Sequence, residues 1–171
     1  MLAARFESLD KPLEIKEVER PVPGPNEVLV KVKAAGICGT DLHHVKGEFG
    51  TAEVPVTLGH EGAGTITETG SEVKNLTVGD DVVLHYINAC MECEPCLRGR
   101  ENRCRNRRRI GSNLDGTFAE YITVPAHSAL KMGDEVSYEI GAITGCAIAT
   151  GYHATKISEL KHGETAVVFG I

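Results

Sequence analysis

Residues 27–34 read Glu-Val-Leu-Val-Lys-Val-Lys-Ala, and they follow the turn-forming run Pro-Val-Pro-Gly-Pro-Asn at residues 21–26. The alternation predicts a strand whose apolar face consists of Val28, Val30, Val32 and Ala34. Further segments of this kind lie at residues 62–69, 81–86 and 117–124. Strands this short and this frequent indicate a barrel or a sandwich, with inward-facing residues that include Val82, Leu84, Phe118, Ile122 and Val124.

Composition narrows the class of protein. Of the 171 residues, 42% are hydrophobic, which is enough for a buried core and excludes a disordered tail. The 18 basic and 24 acidic residues leave a formal net charge of −6, which argues against nucleic acid or an anionic membrane as the main partner. The N-terminus lacks a secretion signal, and the longest uncharged stretch, residues 140–155, is shorter than the ~20 residues of a membrane span. We therefore expect a soluble, cytoplasmic protein.

The last part of the chain has a different pattern. Ser137 is a good N-cap residue, and the apolar residues that follow it at helical spacing are Ile140, Ile143, Ala147 and Ala154. Glycines weaken this helix, so we expect two short helices that meet at Gly145-Cys146. The run Thr-Ala-Val-Val-Phe-Gly-Ile at residues 165–171 has the apolar density of a buried parallel strand, although we expect it to find no sheet to join.

Four of the six cysteines lie in one polar segment, residues 88–113, which has seven arginines and too few aliphatic side chains to form its own core. The four are Cys90, Cys93, Cys96 and Cys104. Their spacing lets four thiolates converge on a zinc ion with no open coordination position, so that the metal would serve folding rather than catalysis. Free or buried thiols and an iron–sulfur cluster are the alternatives. The residues that would offset the charge of a zinc tetrathiolate, or simply form a solvated loop, are Arg98, Arg100, Arg103 and Arg105.

Three short motifs, far apart in the chain, offer a second set of metal ligands. They read Gly-Ile-Cys-Gly-Thr-Asp-Leu-His at residues 36–43, Gly-His-Glu-Gly at 59–62 and Gly-Cys-Ala-Ile-Ala-Thr-Gly-Tyr at 145–152. Each is a weak signal alone, because a lone cysteine or histidine is more often a core or surface residue. Together they supply two thiolates and one imidazole, a known ligand set for catalytic zinc that leaves a fourth position for water or substrate.

These motifs, the four-cysteine segment and Asp-Gly-Thr-Phe-Ala-Glu-Tyr at residues 115–121 resemble the catalytic domain of the zinc-dependent medium-chain alcohol dehydrogenases, and the resemblance covers essentially the whole chain. It implies a mainly β fold with flanking helices, namely a GroES-like, partly open β-barrel with a structural-zinc lobe. It also implies two zinc ions, of which the four cysteines of the lobe hold the structural one. The residues implied for the catalytic ion are Cys38, His60 and Cys146, with Glu61 as an occasional alternative ligand and Asp41 as the partner that orients the histidine.

The same resemblance implies the reaction, which is oxidation of a primary or secondary alcohol to an aldehyde or ketone with hydride transfer to NAD or NADP. Thr40 would hydrogen-bond the substrate hydroxyl, and His43 would pass its proton to solvent, unless His43 is only a surface histidine. Thr150 would contact the nicotinamide ring. Zinc would depress the pKa of the alcohol as a Lewis acid. The full-length enzyme implied is a homo-dimer or tetramer that acts on a small alcohol or carbonyl compound.

The end of the chain departs from the family pattern. Residues 165–171 resemble the first Rossmann strand, and Gly170 resembles the first glycine of G-x-G-x-x-G, but the later parts of that fingerprint do not follow. We therefore expect a catalytic domain at residues 1–164, with its zinc lobe at 88–113, and the start of a truncated cofactor domain at 165–171. The 171-residue chain itself is expected to bind no NAD(H) and to oxidise no alcohol.

Two other functions remain open at this point. One is a non-enzymatic, zinc-stabilised fragment. The other is a polyol or aldehyde dehydrogenase of the same superfamily. Polyol enzymes tend to place a carboxylate where this chain has Cys146, so this position favours simple alcohols.

Overall fold

The computed structural model describes residues 1–9, 11–48 and 52–169. The strands among these residues are β1 (Leu2–Phe6), β2 (Glu14–Glu17), β3 (Glu27–Gly36), β4 (Val56–Thr57), β5 (Glu61–Thr69), β6 (Asp81–Leu84), β7 (Ile87–Asn88), β8 (Arg108–Arg109), β9 (Tyr121–Pro125) and β10 (Ala129–Lys131). The helices are α1 (Gly39–Lys46), α2 (Glu94–Leu97), α3 (Tyr138–Ile143) and α4 (Ala149–Ile157). A π-helical turn, Thr144–Ile148, joins α3 to α4. None of the helices in the described ranges is long and apolar enough to cross a membrane.

The main sheet is antiparallel and has the strand order β10-β6-β5-β3-β9. The register of β3 against β5 shifts between Leu29 and Val30 and again between Val32 and Ala34. Such bulges bend a strand and increase its twist, so the sheet curls into a half-barrel. Gly64 in β5 belongs to this bend, because a Cβ atom there would collide with the carbonyl oxygen of Lys31 on β3. The protein is therefore mainly β with flanking helices, as the sequence predicts.

The inner face of the half-barrel holds the main core. Its buried residues are Val28, Val30, Ile66, Leu76, Val82, Leu84, Ile110, Ile122, Val124 and Ala129. A smaller sheet with the order β2-β1-β4 covers a second cluster, which consists of Phe6, Ala52, Val56 and Leu58. Helix α3 packs against β3 and β5. Candidate metal ligands lie at the ends of these two strands.

The sequence located the main strands correctly but misplaced one side chain. The predicted strands at residues 27–34 and 62–69 are confirmed in β3 and β5. The strand predicted at 117–124 begins only at Tyr121, and Phe118 precedes it. Phe118 packs against the second cluster rather than the main core, because residues 116–118 pair with the backbone of residues 57–59. The assignment of Phe118 to the face of Ile122 and Val124 was therefore wrong.

The C-terminal region is helical and then irregular. Ser137 caps α3 by accepting a hydrogen bond from the amide of Ile140, as predicted. The break expected at Gly145-Cys146 is the π turn. The expected strand at residues 165–171 does not form over its described part, since residues 165–169 carry no strand and Phe169 is 91% exposed. A strand needs a neighbour to satisfy its backbone, and no described strand offers one.

Candidate metal centres

The four-cysteine lobe brings its sulfur atoms into contact range. The Sγ atom of Cys93 lies 3.4 Å from that of Cys96 and 3.9 Å from that of Cys104, and Cys104 lies 3.5 Å from Cys90. Cys93 sits at the start of α2, and Cys104 follows the short turn Glu101–Arg103. The remaining buried apolar member of this cluster is Ala89. The lobe thus has almost no hydrophobic core apart from the sulfurs.

These distances fit a single tetrahedral ion. Four thiolates at ~2.3 Å from zinc lie about 3.8 Å from one another, whereas a disulfide needs sulfurs ~2.05 Å apart. All six cysteines are free. Backbone hydrogen bonds from Arg105 and Cys96 lower the pKa of Cys93 to about 6, while burial raises the pKa of Cys96 to about 12. Four thiolates this close therefore need a cation before all can ionise, and the donor set fits zinc.

The second ligand set converges from three separate segments. Cys38 ends the connection from β3 and is the N-cap of α1, His60 immediately precedes β5, and Glu61 opens that strand. Cys146 lies on the π turn, a local widening of the helix that is common at functional sites. One ligand atom from each of these four residues lies within 4.8 Å of the other three. The fold thus assembles the set predicted from dispersed motifs.

Asp41 connects two of these segments. Its Oδ2 atom accepts a hydrogen bond of 2.9 Å from the Cys38 amide, and its Oδ1 atom lies 3.3 Å from the Gly59 amide and from Nδ1 of His60. With Nδ1 held by the carboxylate, Nε2 of His60 remains to act as a metal ligand. Asp41 therefore orients the imidazole and anchors the loop in front of it.

Glu61 and Gly145 position the segment that carries Cys146. The buried carboxylate of Glu61 accepts a 3.0 Å hydrogen bond from the amide of Ala147. A side chain on Gly145 would collide with the carbonyl oxygen of Leu84, so glycine lets the π turn approach β6 closely. Gly36 likewise leaves room for Glu61, because a Cβ atom there would collide with its carboxylate.

The electrostatics of the second set suit a metal cation. Burial raises the pKa of Cys38, but hydrogen bonds with Thr40 and His60 outweigh it and leave the pKa below its ordinary value. Burial also lowers the pKa of His60, yet hydrogen bonds with Asp41 and Cys146 raise it to about 10. Both shifts favour a positive charge beside these thiols, which suits a metal cation at this set.

The other predicted site residues lie at different distances from this set. The Thr40 hydroxyl lies 3.8 Å from the Cys38 sulfur and lines the adjoining cavity. His43 lies on the exposed side of α1, with its Nδ1 atom 2.6 Å from a carboxylate oxygen of Glu48. Thr150 is exposed on α4, one turn beyond Cys146. Gly170 lies outside the described residues.

A cavity of about 650 Å³ opens onto His60 and Cys146. Its lining includes residues that were not predicted as site residues, namely His44, Tyr86, Arg107 and Arg109. The rings of Tyr86 and His60 meet edge to face, with centroids 5.7 Å apart. The sequence signal for the arginines was the run Arg-Arg-Arg at residues 107–109, in which alternate side chains share a face. His44 and Tyr86 had no such signal, because single residues acquire a role only through packing.

The comparisons with known proteins agree with this geometry. Residues 24–134 match the family of alcohol dehydrogenase GroES-like domains. An alcohol dehydrogenase of Geobacillus stearothermophilus is 41% identical over the whole of this chain, which covers 51% of that protein. The chain thus spans about half the length of the curated relatives it matches. We therefore conclude that it belongs to the alcohol dehydrogenase GroES-like domain family.

Two solved structures support the same assignment. A cobalt- and zinc-bound thermostable alcohol dehydrogenase from Pyrobaculum aerophilum superposes with a TM-score of 0.89 at 32% identity, over 96% of this chain and 50% of the other. The crystal structure of a dehydrogenase from Sinorhizobium meliloti 1021 with NADP bound superposes with a TM-score of 0.76 at 42% identity, over 83% of this chain and 41% of the other. Relatives of this chain therefore bind zinc, and one binds a nicotinamide cofactor.

Proposed function

We propose that the chain is the zinc-binding and substrate-binding part of an NAD(P)-dependent alcohol dehydrogenase, and that it oxidises a primary or secondary alcohol to an aldehyde or ketone as part of the full-length enzyme. In this proposal residues 1–164 form the catalytic domain with the lobe at 88–113. Residues 165–171 are the beginning of the cofactor domain. The observation that carries the proposal is the convergence of Cys38, His60 and Cys146 at one edge of a substrate-sized cavity.

The three ligands give the site its chemistry. A zinc ion held by Cys38, His60 and Cys146 would act as a Lewis acid that lowers the pKa of an alcohol hydroxyl. Asp41 keeps Nδ1 of His60 engaged, so the imidazole presents Nε2 to the site. Glu61 holds the Cys146 turn through the amide of Ala147 and is near enough to serve as an alternative ligand.

Thr40 and His43 provide a route for the alcohol proton. Thr40 lines the cavity beside Cys38, where its hydroxyl can accept the proton of a bound alcohol and donate its own. His43 lies one helical turn further on α1 and reaches solvent, where an imidazole exchanges protons near neutral pH. Glu48 lies 2.6 Å from Nδ1 of His43 and holds the ring in place on the exposed side of α1.

Cofactor contacts complete the proposal. Thr150, one turn beyond Cys146, would contact the nicotinamide ring of NAD or NADP, and Gly170 would begin the turn that receives the pyrophosphate. The four-cysteine lobe would hold a structural zinc. A homo-dimer or tetramer and a cytoplasmic location belong to the same proposal, the latter because six free thiols persist in a reducing compartment.

The test uses the full-length protein that contains this sequence, loaded with zinc. We expect NAD(P)-dependent oxidation of alcohols, loss of turnover in Cys146→Ser, and retention of the zinc held by the lobe in that variant. Glu139→Gln, on the exposed start of α3, is the matched control and should keep full activity. A zinc-loaded, folded protein with no turnover of any alcohol would refute the proposal and favour a non-enzymatic, zinc-stabilised module.

A further inference from the structure

The cavity beside His60 and Cys146 carries concentrated positive charge in an acidic protein. Seven of the nine arginines of the chain lie within residues 98–109, whereas the formal net charge is −6. The arginines that line the cavity are Arg103, Arg107 and Arg109. No aspartate or glutamate of the described chain is among the lining residues. A group of guanidinium ions at a cavity without carboxylates is typical of a site for an anionic ligand.

Strand geometry explains why two of these arginines face the cavity. Strand β8 pairs with β7, with Arg109 opposite Ile87, and the next amide, that of Ile110, donates to the carbonyl of Tyr86. Residues two apart in an extended segment share a face, so Arg107 and Arg109 line the cavity together. Arg108 does not line it and instead donates a 3.0 Å hydrogen bond to the carbonyl of Asn113.

The three cavity arginines are not committed to ion pairs. Within residues 1–9, 11–48 and 52–169, no carboxylate lies within 4.0 Å of their guanidinium groups. By contrast, Arg98 and Arg105 in the same lobe pair with Glu94 at 3.0 and 3.1 Å. Arg98 and Arg105 are thus neutralised within the lobe, whereas the three cavity arginines keep their charge uncompensated by any described carboxylate, although Arg107 donates a 3.3 Å hydrogen bond to the carbonyl of Cys104.

His44 adds a second, independent sign of a missing partner. It lines the same cavity, it is only 6% exposed, and its Nδ1 atom has no hydrogen-bond partner among the described residues. A buried polar atom without a partner is unfavourable, so such atoms are normally satisfied by water or a ligand. Tyr86 lines the same cavity and meets the ring of His60 edge to face, with ring centroids 5.7 Å apart.

We propose that the substrate carries an anionic group, a carboxylate or a phosphate, which Arg103, Arg107 and Arg109 bind while the alcohol oxygen lies at the Cys38, His60 and Cys146 set. The inference rests on the proposed function and narrows its substrate class from neutral alcohols to hydroxy acids or phosphorylated alcohols. Both groups present oxygens that arginine binds with two parallel hydrogen bonds. The cavity, about 650 Å³, is lined by the arginines as well as by His60 and Cys146, and it has room for a substrate of a few carbon atoms.

The first test compares substrates of equal length in the full-length, zinc-loaded enzyme. We expect kcat/KM for 4-hydroxybutyrate to exceed that for its neutral isostere 4-hydroxybutyramide by about tenfold or more, the usual effect of a charge-assisted hydrogen bond. The cationic 4-amino-1-butanol should be the poorest substrate. 3-Hydroxypropyl phosphate is assayed in the same way. The anion that gives the higher kcat/KM, carboxylate or phosphate, identifies the native group.

Arginine variants locate the effect. Arg107→Gln and Arg109→Gln should each bring the ratio of kcat/KM for 4-hydroxybutyrate to that for 4-hydroxybutyramide close to one, with both compounds measured in the same variant. Arg98→Gln is the matched control, because Arg98 pairs with Glu94 outside the cavity, and it should keep the preference. Equal kcat/KM for the acid and the amide would overturn the inference and leave the proposed function intact. So would variants that raise only the KM for NAD(P)H, since the arginines would then bind cofactor phosphate.

A binding measurement covers the case in which no alcohol is turned over. The zinc-loaded 171-residue chain is titrated with 4-hydroxybutyrate and with its amide, and the arginine Nε–H resonances are followed by NMR. Saturable shifts at Arg107 and Arg109 with the acid alone would support the anion site even if the proposed reaction failed. Identical spectra with both compounds would refute the anion site.

Discussion

The Nδ1 atom of His60 lies 3.3 Å from Oδ1 of Asp41, and both side chains are buried. The same carboxylate also accepts from the amides of Cys38 and Gly59, so it joins two of the segments that carry ligands. An asparagine would keep the shape of the side chain but lose its charge and one acceptor. The contact therefore controls both the orientation and the basicity of the imidazole.

We expect Asp41→Asn to weaken zinc binding at the Cys38, His60 and Cys146 set by about 10- to 100-fold, because a ligating histidine depends on its carboxylate partner. The measurement is zinc competition with a chromophoric chelator. The lobe should keep its affinity. Asp134→Asn, at an exposed aspartate, serves as the control, and equal weakening in both variants would contradict the role of Asp41.

The zinc-loaded chain should hold two ions, because the two ligand sets share no residue. Cys96→Ser and Cys146→Ser should each reduce the content measured by elemental analysis to one ion per chain. Cys96→Ser should also unfold the lobe, whereas Cys146→Ser should leave the lobe folded, and this difference identifies which ion is lost. A content of one in the unmodified chain, falling to zero in Cys96→Ser, would show that the second set holds no zinc here.

Cys104→Ser should unfold the lobe, since Cys104 is fully buried and the lobe has little apolar packing besides its sulfurs. Hydrogen exchange should report lost protection over residues 90–107, and a chelator should have the same effect on the unmodified chain. Cys146→Ser is the comparison and should leave that protection in place. A lobe that stays protected without metal would refute a structural role for the ion.

In the full-length enzyme, His60→Ala should abolish turnover together with one zinc ion. His43→Ala should slow turnover by about 100-fold or more and retain both ions, since a proton-transfer residue contributes to rate but not to ligation. Steady-state kinetics and elemental analysis of the same samples separate the two effects. Equal metal loss in both variants would show that His43 is not a relay residue.

Gly64→Ala should lower the free energy of unfolding by about 1–3 kcal/mol, because the new Cβ would meet the carbonyl oxygen of Lys31 across the β3–β5 ladder. Thermal unfolding measures the change. Gly151→Ala is the control: apart from its own helix backbone and chain neighbours, no atom of the described residues lies within 4 Å of its Cβ position on α4, and alanine should be neutral or slightly stabilising there. A destabilisation of equal size in both would mean that the close strand approach is not the cause.

Local patterns determined a large part of this protein. The spacing of Cys90, Cys93, Cys96 and Cys104 is enough to predict a tetrahedral site, because ligands so near in sequence need only a turning loop to converge. The alternation of apolar residues along β3 and the N-cap at Ser137 could be predicted for the same reason, since both depend on neighbouring residues.

Only the tertiary structure decided which distant residues meet. Cys38, His60 and Cys146 could be grouped beforehand through a family resemblance, but their approach to within 4.8 Å depends on the curl of the sheet and on the π turn. Phe118 was assigned to the wrong cluster because the pairing of residues 116–118 with 57–59 is non-local. The arginines were visible in the sequence, yet their division between Glu94 and the cavity follows from where each side chain points once the lobe is packed. Sequence carries short-range geometry, whereas contacts between distant segments are set by the packing of the whole chain.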